Sequence, residues 1–256
     1  MRRVHYFKLT RQLSFVPAIC FILLHFSYPD IDSCSAVLVA NTFVLWTLFS
    51  LFASYNKKAS LGTIFNIGFS LAIASLFYNA YLVYFLWILL ALLIIRSFDP
   101  QEFFLLIGGF CVPFFLFGCY LFLNDSLEQW LDNDLGVHYS TMNIHYDTNT
   151  YLYVLLGILG LSFLLAIGNL QGLYHKRTSQ GKKYINVVLL MPVIGLLSFF
   201  AQNDLYSHHY ITFFIPISVL LSITLQSYKS QATAEAIHFI FFMLCMGIQY
   251  QALFFG

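Results

Sequence analysis

Residues 61–123 read LGTIFNIGFSLAIASLFYNAYLVYFLWILLALLIIRSFDPQEFFLLIGGFCVPFFLFGCYLFL, and the three charges they hold, Arg96, Asp99 and Glu102, all lie between positions 96 and 102. A helix needs about 20 apolar residues to cross the hydrocarbon of a bilayer. The stretch divides at its polar breaks into three runs near that length, 61–78, 80–95 and 103–124. Each charge at the bilayer centre costs roughly 3 kcal/mol on insertion scales, which explains why these three are gathered in one turn.

Six further runs of the same kind follow outward: 12–28, 34–54, 150–169, 185–202, 210–226 and 236–254. The expected fold is an all-α polytopic transmembrane bundle of about nine spans, forming a single domain over residues 1–256. Composition agrees. Charged residues make up 9% of the chain and hydrophobic residues 60%, against about a quarter charged in a soluble domain. Such a chain has no basic patch of groove size, and a nucleic-acid partner is not expected.

Charge gives an independent ruler, because cytoplasmic loops collect Lys and Arg. With the amino terminus cytoplasmic, all 12 basic residues fall inside. Of the 11 acids, Asp99, Glu102 and Glu235 fall inside and the rest outside. A wrong span count would send the later lysines outside, so the map predicts a periplasmic carboxyl terminus. The basic amino-terminal stretch followed by an apolar run resembles a signal peptide. Without an Ala-x-Ala-like site, and with Tyr28-Pro29-Asp30 closing the run, it reads as a retained first helix.

Two loops have appreciable length: a basic cytoplasmic one at 170–184 and an acidic periplasmic one at 125–149. Within the second, Leu127, Trp130 and Leu131 suit a short interfacial helix. Asn79 alone parts the third and fourth spans and predicts a tight antiparallel hairpin. Gly62, Asn66, Gly68 and Ser70 predict a small polar packing face with an interhelical hydrogen bond. Pro17, Pro113, Pro192 and Pro216 are expected to kink their spans. Five cysteines without a CxxC pair argue against a disulfide framework or structural zinc.

The run from Phe65 to Tyr78, Arg96-Ser97-Phe98-Asp99-Pro100-Gln101-Glu102-Phe103 and Gly108-Gly109-Phe110-Cys111-Val112-Pro113 resemble a family of uncharacterised multi-pass inner-membrane proteins of Bacteroidota, a domain of unknown function. The likeness covers residues 50–255. It implies the inner membrane of a didermal bacterium and carries no functional residues across. Some members bear an automatic β-carotene monooxygenase label, which implies imidazole-bound iron.

The histidines do not favour that chemistry, because iron needs several imidazoles at one depth. His25, His208 and His209 share the outer face and are the candidate ligands. His138 and His145 lie in the periplasmic loop, and His238 falls at the opposite face. No metal or other cofactor is expected, and a bundle of this kind leaves room for a bound lipid. The acid pairs Asp30/Asp32 and Asp132/Asp134 have the spacing to chelate a cation bridging a phosphate. They are the candidate catalytic residues of an alternative reading, an enzyme acting on polyprenyl-type lipid-linked substrates at the periplasmic face. The turn Arg96-Ser97-Phe98-Asp99-Pro100-Gln101-Glu102 reads as a capping-box-like helix start, with Arg96 pairing Asp99 or reaching lipid phosphate. Arg96, Asp99 and Glu102, together with Lys176, Arg177, Lys182 and Lys183, are the candidate contacts for a partner or a lipid headgroup.

No ionisable group sits at midplane, which counts against ion-coupled transport. A carrier or channel for a neutral or apolar solute is a second alternative, resting on the proline kinks. The favoured reading is a non-catalytic subunit or assembly factor of a cell-envelope membrane complex. Its partners would be membrane lipids and other membrane subunits.

Overall fold

The computed structural model describes residues 15–27, 35–55, 61–96, 99–131, 150–169, 174, 177–199, 207–228 and 230–250. Every element among them is helical. In chain order they are α1 (Val16–Phe26), α2 (Ala36–Ala53), α3 (Leu61–Phe77), α4 (Tyr84–Ile95), α5 (Pro100–Leu123), α6 (Leu127–Trp130), α7 (Thr150–Gly168), α8 (Ser179–Ser198), α9 (Phe214–Ser227) and α10 (Gln231–Gln249). Two 3-10 segments, Asn79–Leu82 and Ser207–Phe213, lead into α4 and α9. Four helical stretches among the described residues are long and apolar enough to cross a membrane: Ala36–Ala53, Pro100–Leu123, Ser179–Ser198 and His209–Ser227. Five shorter apolar helices accompany them.

The helix ends follow from local chemistry. Ser35 caps α2, its hydroxyl accepting from Leu38 N at 3.3 Å. Thr178 does the same for α8, accepting from Gly181 N at 3.3 Å. That cap starts α8 at Ser179, inside the stretch assigned to the 170–184 loop, because hydropathy measures where a span ends and not where a helix does. Pro17 lies in the first turn of α1 and Pro216 in the first turn of α9. The missing N–H of Pro17 would be unpaired there in any case, whereas α9, with Pro216 in its first turn, follows directly on the 3-10 segment Ser207–Phe213. Pro17 therefore starts a helix instead of kinking a span, Pro216 lies at the change of helix type within the stretch His209–Ser227, and Pro113 and Pro192 lie inside helices. α5 ends with Asp125 at φ 53°. Ser126 N donates to Leu121 O at 3.0 Å and Asp125 N to Phe122 O at 3.2 Å, the bonding pattern of a Schellman stop.

The chain forms two compact units. One contains Met1–Cys34, Tyr146–Pro192 and Tyr210–Gly256. Its centre is α9, whose residues from Phe214 to Leu225 are all buried, and which packs against α1, α7 and α10. A helix apolar all round belongs in such a position. Asn169 Nδ2 donates to Tyr228 Oη at 2.8 Å and ties the end of α7 to the end of α9.

The other unit contains Ser35–His145 and Val193–His209. Here α3 lies against α2 and α5. The tight hairpin expected between α3 and α4 does not form: α3 makes its main contacts with α2 and α5, and the 3-10 segment intervenes. Two glycines permit the α3/α5 approach. A Cβ on Gly68 would stand 2.3 Å from Leu106 O, and one on Gly109 2.2 Å from Phe65 O. Small residues of this kind let backbones meet, which matters in a membrane because lipid tails compete equally for apolar side chains. The interhelical hydrogen bond runs between Thr47 and Ser70, at 2.7 Å. Asn66 is exposed and supplies only a backbone acceptor for Ser70 Oγ, at 2.8 Å.

Candidate functional site

Most buried hydroxyls in these helices bond to a carbonyl three or four residues back. Ser54, Ser75, Ser162, Ser218, Ser222 and Thr224 all do so. That pattern satisfies an alcohol locally and leaves it no external task. Several hydroxyls of the second unit have side-chain partners in addition, beside an aromatic ladder.

Tyr78, Tyr81, Tyr84 and Trp87 are spaced by three, and the 3-10 segment across Asn79–Leu82 places residues three apart on one side. Successive ring centroids stand 5.7, 4.9 and 6.1 Å apart, all edge-on, a favoured aromatic geometry. Tyr81 is fully buried and donates to Asn41 Oδ1 of α2. Tyr78, at the end of α3, reaches His209.

His209 is fully buried. Its Nδ1 lies 2.7 Å from Tyr78 Oη, its Nε2 3.2 Å from Ser198 Oγ and 3.3 Å from Gly195 O, and its ring 4.0 Å from that of Phe199. A carbonyl only accepts, so the proton sits on Nε2, which makes Nδ1 the acceptor for the Tyr78 hydroxyl. Ser198 Oγ also donates to Gly195 O at 2.7 Å. The neutral imidazole thus bridges the ends of α3 and α8, with both nitrogens engaged.

At the other end of α4, Arg96 leaves the helix in extended conformation and its Nη2 pairs with Glu102 Oε1 at 2.9 Å. The pairing is with Glu102, not Asp99. Asp99 caps α5 by accepting from Gln101 N at 3.0 Å, and Glu102 is thereby spent on Arg96 and not on a reciprocal capping box. Arg96 Nη1 is shielded from solvent and has no hydrogen-bond partner. A pocket of about 190 Å³ opens beside it, walled by Leu89, Leu92, Leu93 and Phe103.

The remaining candidates are dispersed. His25 lies in the last turn of α1, stacked on Phe21 with centroids 6.4 Å apart. Arg177 precedes α8, while Lys182 and Lys183 occupy its first turns, Lys182 exposed. Tyr174 donates to Asn186 Oδ1, and burial raises its phenol above the ordinary value, keeping it a donor. Asp30, Asp32, Asp132, Asp134, Lys176, His138 and His145 lie outside the described residues, as does the side chain of His208. Among the described residues no three His, Cys, Asp or Glu side chains converge to hold a metal ion. The Tyr78–His209–Ser198 cluster was not anticipated. Its members lie up to 131 residues apart, and the one available signal was the spacing of the aromatic ladder.

Fold and site together define an all-helical protein with helices of membrane-spanning length and a buried hydrogen-bonded core. The chain belongs to a family of unknown function, DUF6427, whose model matches residues 2–254. The match extends over the amino-terminal helix, well before the residue-50 limit of the resemblance described above. No curated protein and no solved structure matches the chain.

Proposed function

We propose that this protein is a non-catalytic subunit or assembly factor of a membrane complex in a bacterial cell envelope. In this reading the chain is one inner-membrane domain of about nine spans, with its amino terminus cytoplasmic and its carboxyl terminus periplasmic. The observation that carries it is a contrast between glycines. Gly68 and Gly109 lie where two helices of the chain meet, whereas Gly157, Gly160 and Gly168 share the exposed side of α7, and a Cβ on any of them would meet nothing within 4 Å. Glycine costs a helix about 1 kcal/mol relative to alanine. Close approach of a further helix is a role that compensates for that cost in a membrane.

The buried polar groups support the same reading, since Tyr78, Ser198 and His209 join elements of the chain to one another. Purification from native membranes in mild detergent tests it. A membrane protein should co-purify in fixed ratio with the wild type and be lost from the Gly157→Ile/Gly160→Ile variant at unchanged melting temperature. A wild-type protein that is monomeric and alone would refute the proposal.

A further inference from the structure

We infer that Tyr78 is a redox-active tyrosine, which collects one-electron oxidising equivalents from the aromatic ladder by giving its phenolic proton to His209. The inference is independent of the partner helix proposed for α7.

The ladder supplies the path. From Trp87 through Tyr84 and Tyr81 to Tyr78 the ring centroids are separated by 6.1, 4.9 and 5.7 Å. Trp87, Tyr84 and Tyr81 are fully buried, so close packing fixes these separations. Indole and phenol are the rings of this core that lose an electron most readily. Four of them in succession can pass an electron vacancy from one to the next.

The base decides where the vacancy stops. A phenol that has lost an electron is a strong acid, and one that keeps its proton remains an unpaired buried cation, which is costly. Tyr81 donates to Asn41 Oδ1, an amide oxygen that accepts a hydrogen bond but does not take up a proton. Tyr78 donates to His209 Nδ1 at 2.7 Å, and neutral imidazole is the side chain that takes up a proton near neutral pH. The lone pair stays on Nδ1 because Nε2 faces Gly195 O at 3.3 Å and Ser198 Oγ at 3.2 Å. Those two oxygens also hold the imidazolium that results, since a charged donor strengthens its hydrogen bonds.

The oxidant is an oxygen-centred radical or another one-electron acceptor, which takes an electron from a ring of the ladder and is itself reduced. Electrons then move along the rings until Tyr78 is the one left short. There the O–H bond breaks and an N–H bond forms at Nδ1, giving a neutral phenoxyl and an imidazolium. The proton crosses a single 2.7 Å hydrogen bond. It returns to Tyr78 Oη when a one-electron reductant restores the electron.

The test uses the full chain in detergent, with Trp46→Phe/Trp130→Phe leaving Trp87 alone of the 3 tryptophans. A flash at a wavelength that only tryptophan absorbs, with a micelle-soluble quinone as electron acceptor, oxidises Trp87. Transient absorption and electron paramagnetic resonance follow the radicals. The tryptophanyl signal should give way to a tyrosyl signal. The spectrum of that radical should show the exchangeable proton that Nδ1 now donates to the phenoxyl oxygen, and lose it in heavy water. Tyr78→Phe should abolish the tyrosyl signal and prolong the tryptophanyl one. His209→Gln, which keeps a hydrogen-bond acceptor but no base, should do the same with Tyr78 still present. A tyrosyl signal of undiminished size in either variant would overturn the inference. So would a tyrosyl radical without an exchangeable proton, or none at all, with Tyr78 and His209 both intact, a result that needs neither of these two substitutions.

Discussion

Adjacent glycines in α5 should respond to alanine with opposite signs. A Cβ on Gly109 would lie 2.2 Å from Phe65 O, 3.0 Å from Phe65 C and 3.1 Å from Phe65 Cα. Ordinary carbon–oxygen approach is about 3.3–3.6 Å, so the two helices must separate by about 1 Å at their crossing. The opposing atoms are helix backbone and cannot swing aside as a side chain would. Overpacking of this kind costs about 1–3 kcal/mol, and separation also removes contacts along α3. Alanine's higher helix propensity returns about 1 kcal/mol, leaving a net loss of up to about 2 kcal/mol for Gly109→Ala. At Gly108 nothing lies within 4 Å of the same added atom. Gly108→Ala should therefore keep the propensity gain and stabilise by up to about 1 kcal/mol. Equilibrium unfolding in mixed micelles, followed by tryptophan fluorescence, measures both. The reasoning fails if Gly109→Ala is as stable as wild type, or if the two alanines destabilise alike.

Other substitutions probe the polar contacts, with stability measured in the same way. Tyr78→Phe removes the donor to His209 Nδ1 and should cost about 1–3 kcal/mol. Ser198→Ala should cost less, because Nε2 keeps Gly195 O as its acceptor; the reverse order would contradict the assigned tautomer. A double-mutant cycle on Thr47→Val and Ser70→Ala should give a coupling near 0.6 kcal/mol, the usual scale for hydroxyl pairs between membrane helices. A coupling of zero would mean that the 2.7 Å contact contributes nothing to α2/α3 association. Asp125→Gly should raise stability by up to about 1 kcal/mol, since φ 53° suits glycine better than any side chain. A loss would show that the aspartate side chain has a role in the stop.

The helices themselves were legible in the apolar runs, and the start of α5 in Asp99-Pro100, because hydropathy and capping are local properties. The short helix expected near Trp130 was legible too, and Trp130 packs edge-on against Phe117 with centroids 5.4 Å apart. Which helices pair was not legible. In water an apolar stripe marks the buried face, but in lipid both faces are apolar, so α9, buried all round, and α5, largely exposed, look alike in sequence. The pairing of α3 with α5 depends on Gly68 and Gly109, and nothing in the sequence distinguishes these from Gly108 or Gly157. Pro17 begins a helix instead of kinking one, because a proline suits a first turn as readily as a kink and the residues around it do not decide between the two. The histidines were read for convergence on a metal. His209 instead meets a tyrosine and a serine distant in sequence, whose nearness only the packing of α3 beside the end of α8 provides.

The membrane arrangement is tested most directly by labelling single cysteines, Asp132→Cys and Lys182→Cys, in a background with the five native cysteines replaced. A bundle sorted by the charge of its loops requires Asp132→Cys to react with an impermeant thiol reagent from the periplasmic side, and Lys182→Cys to react only after the inner membrane is opened. Reaction of both from the same side would contradict it.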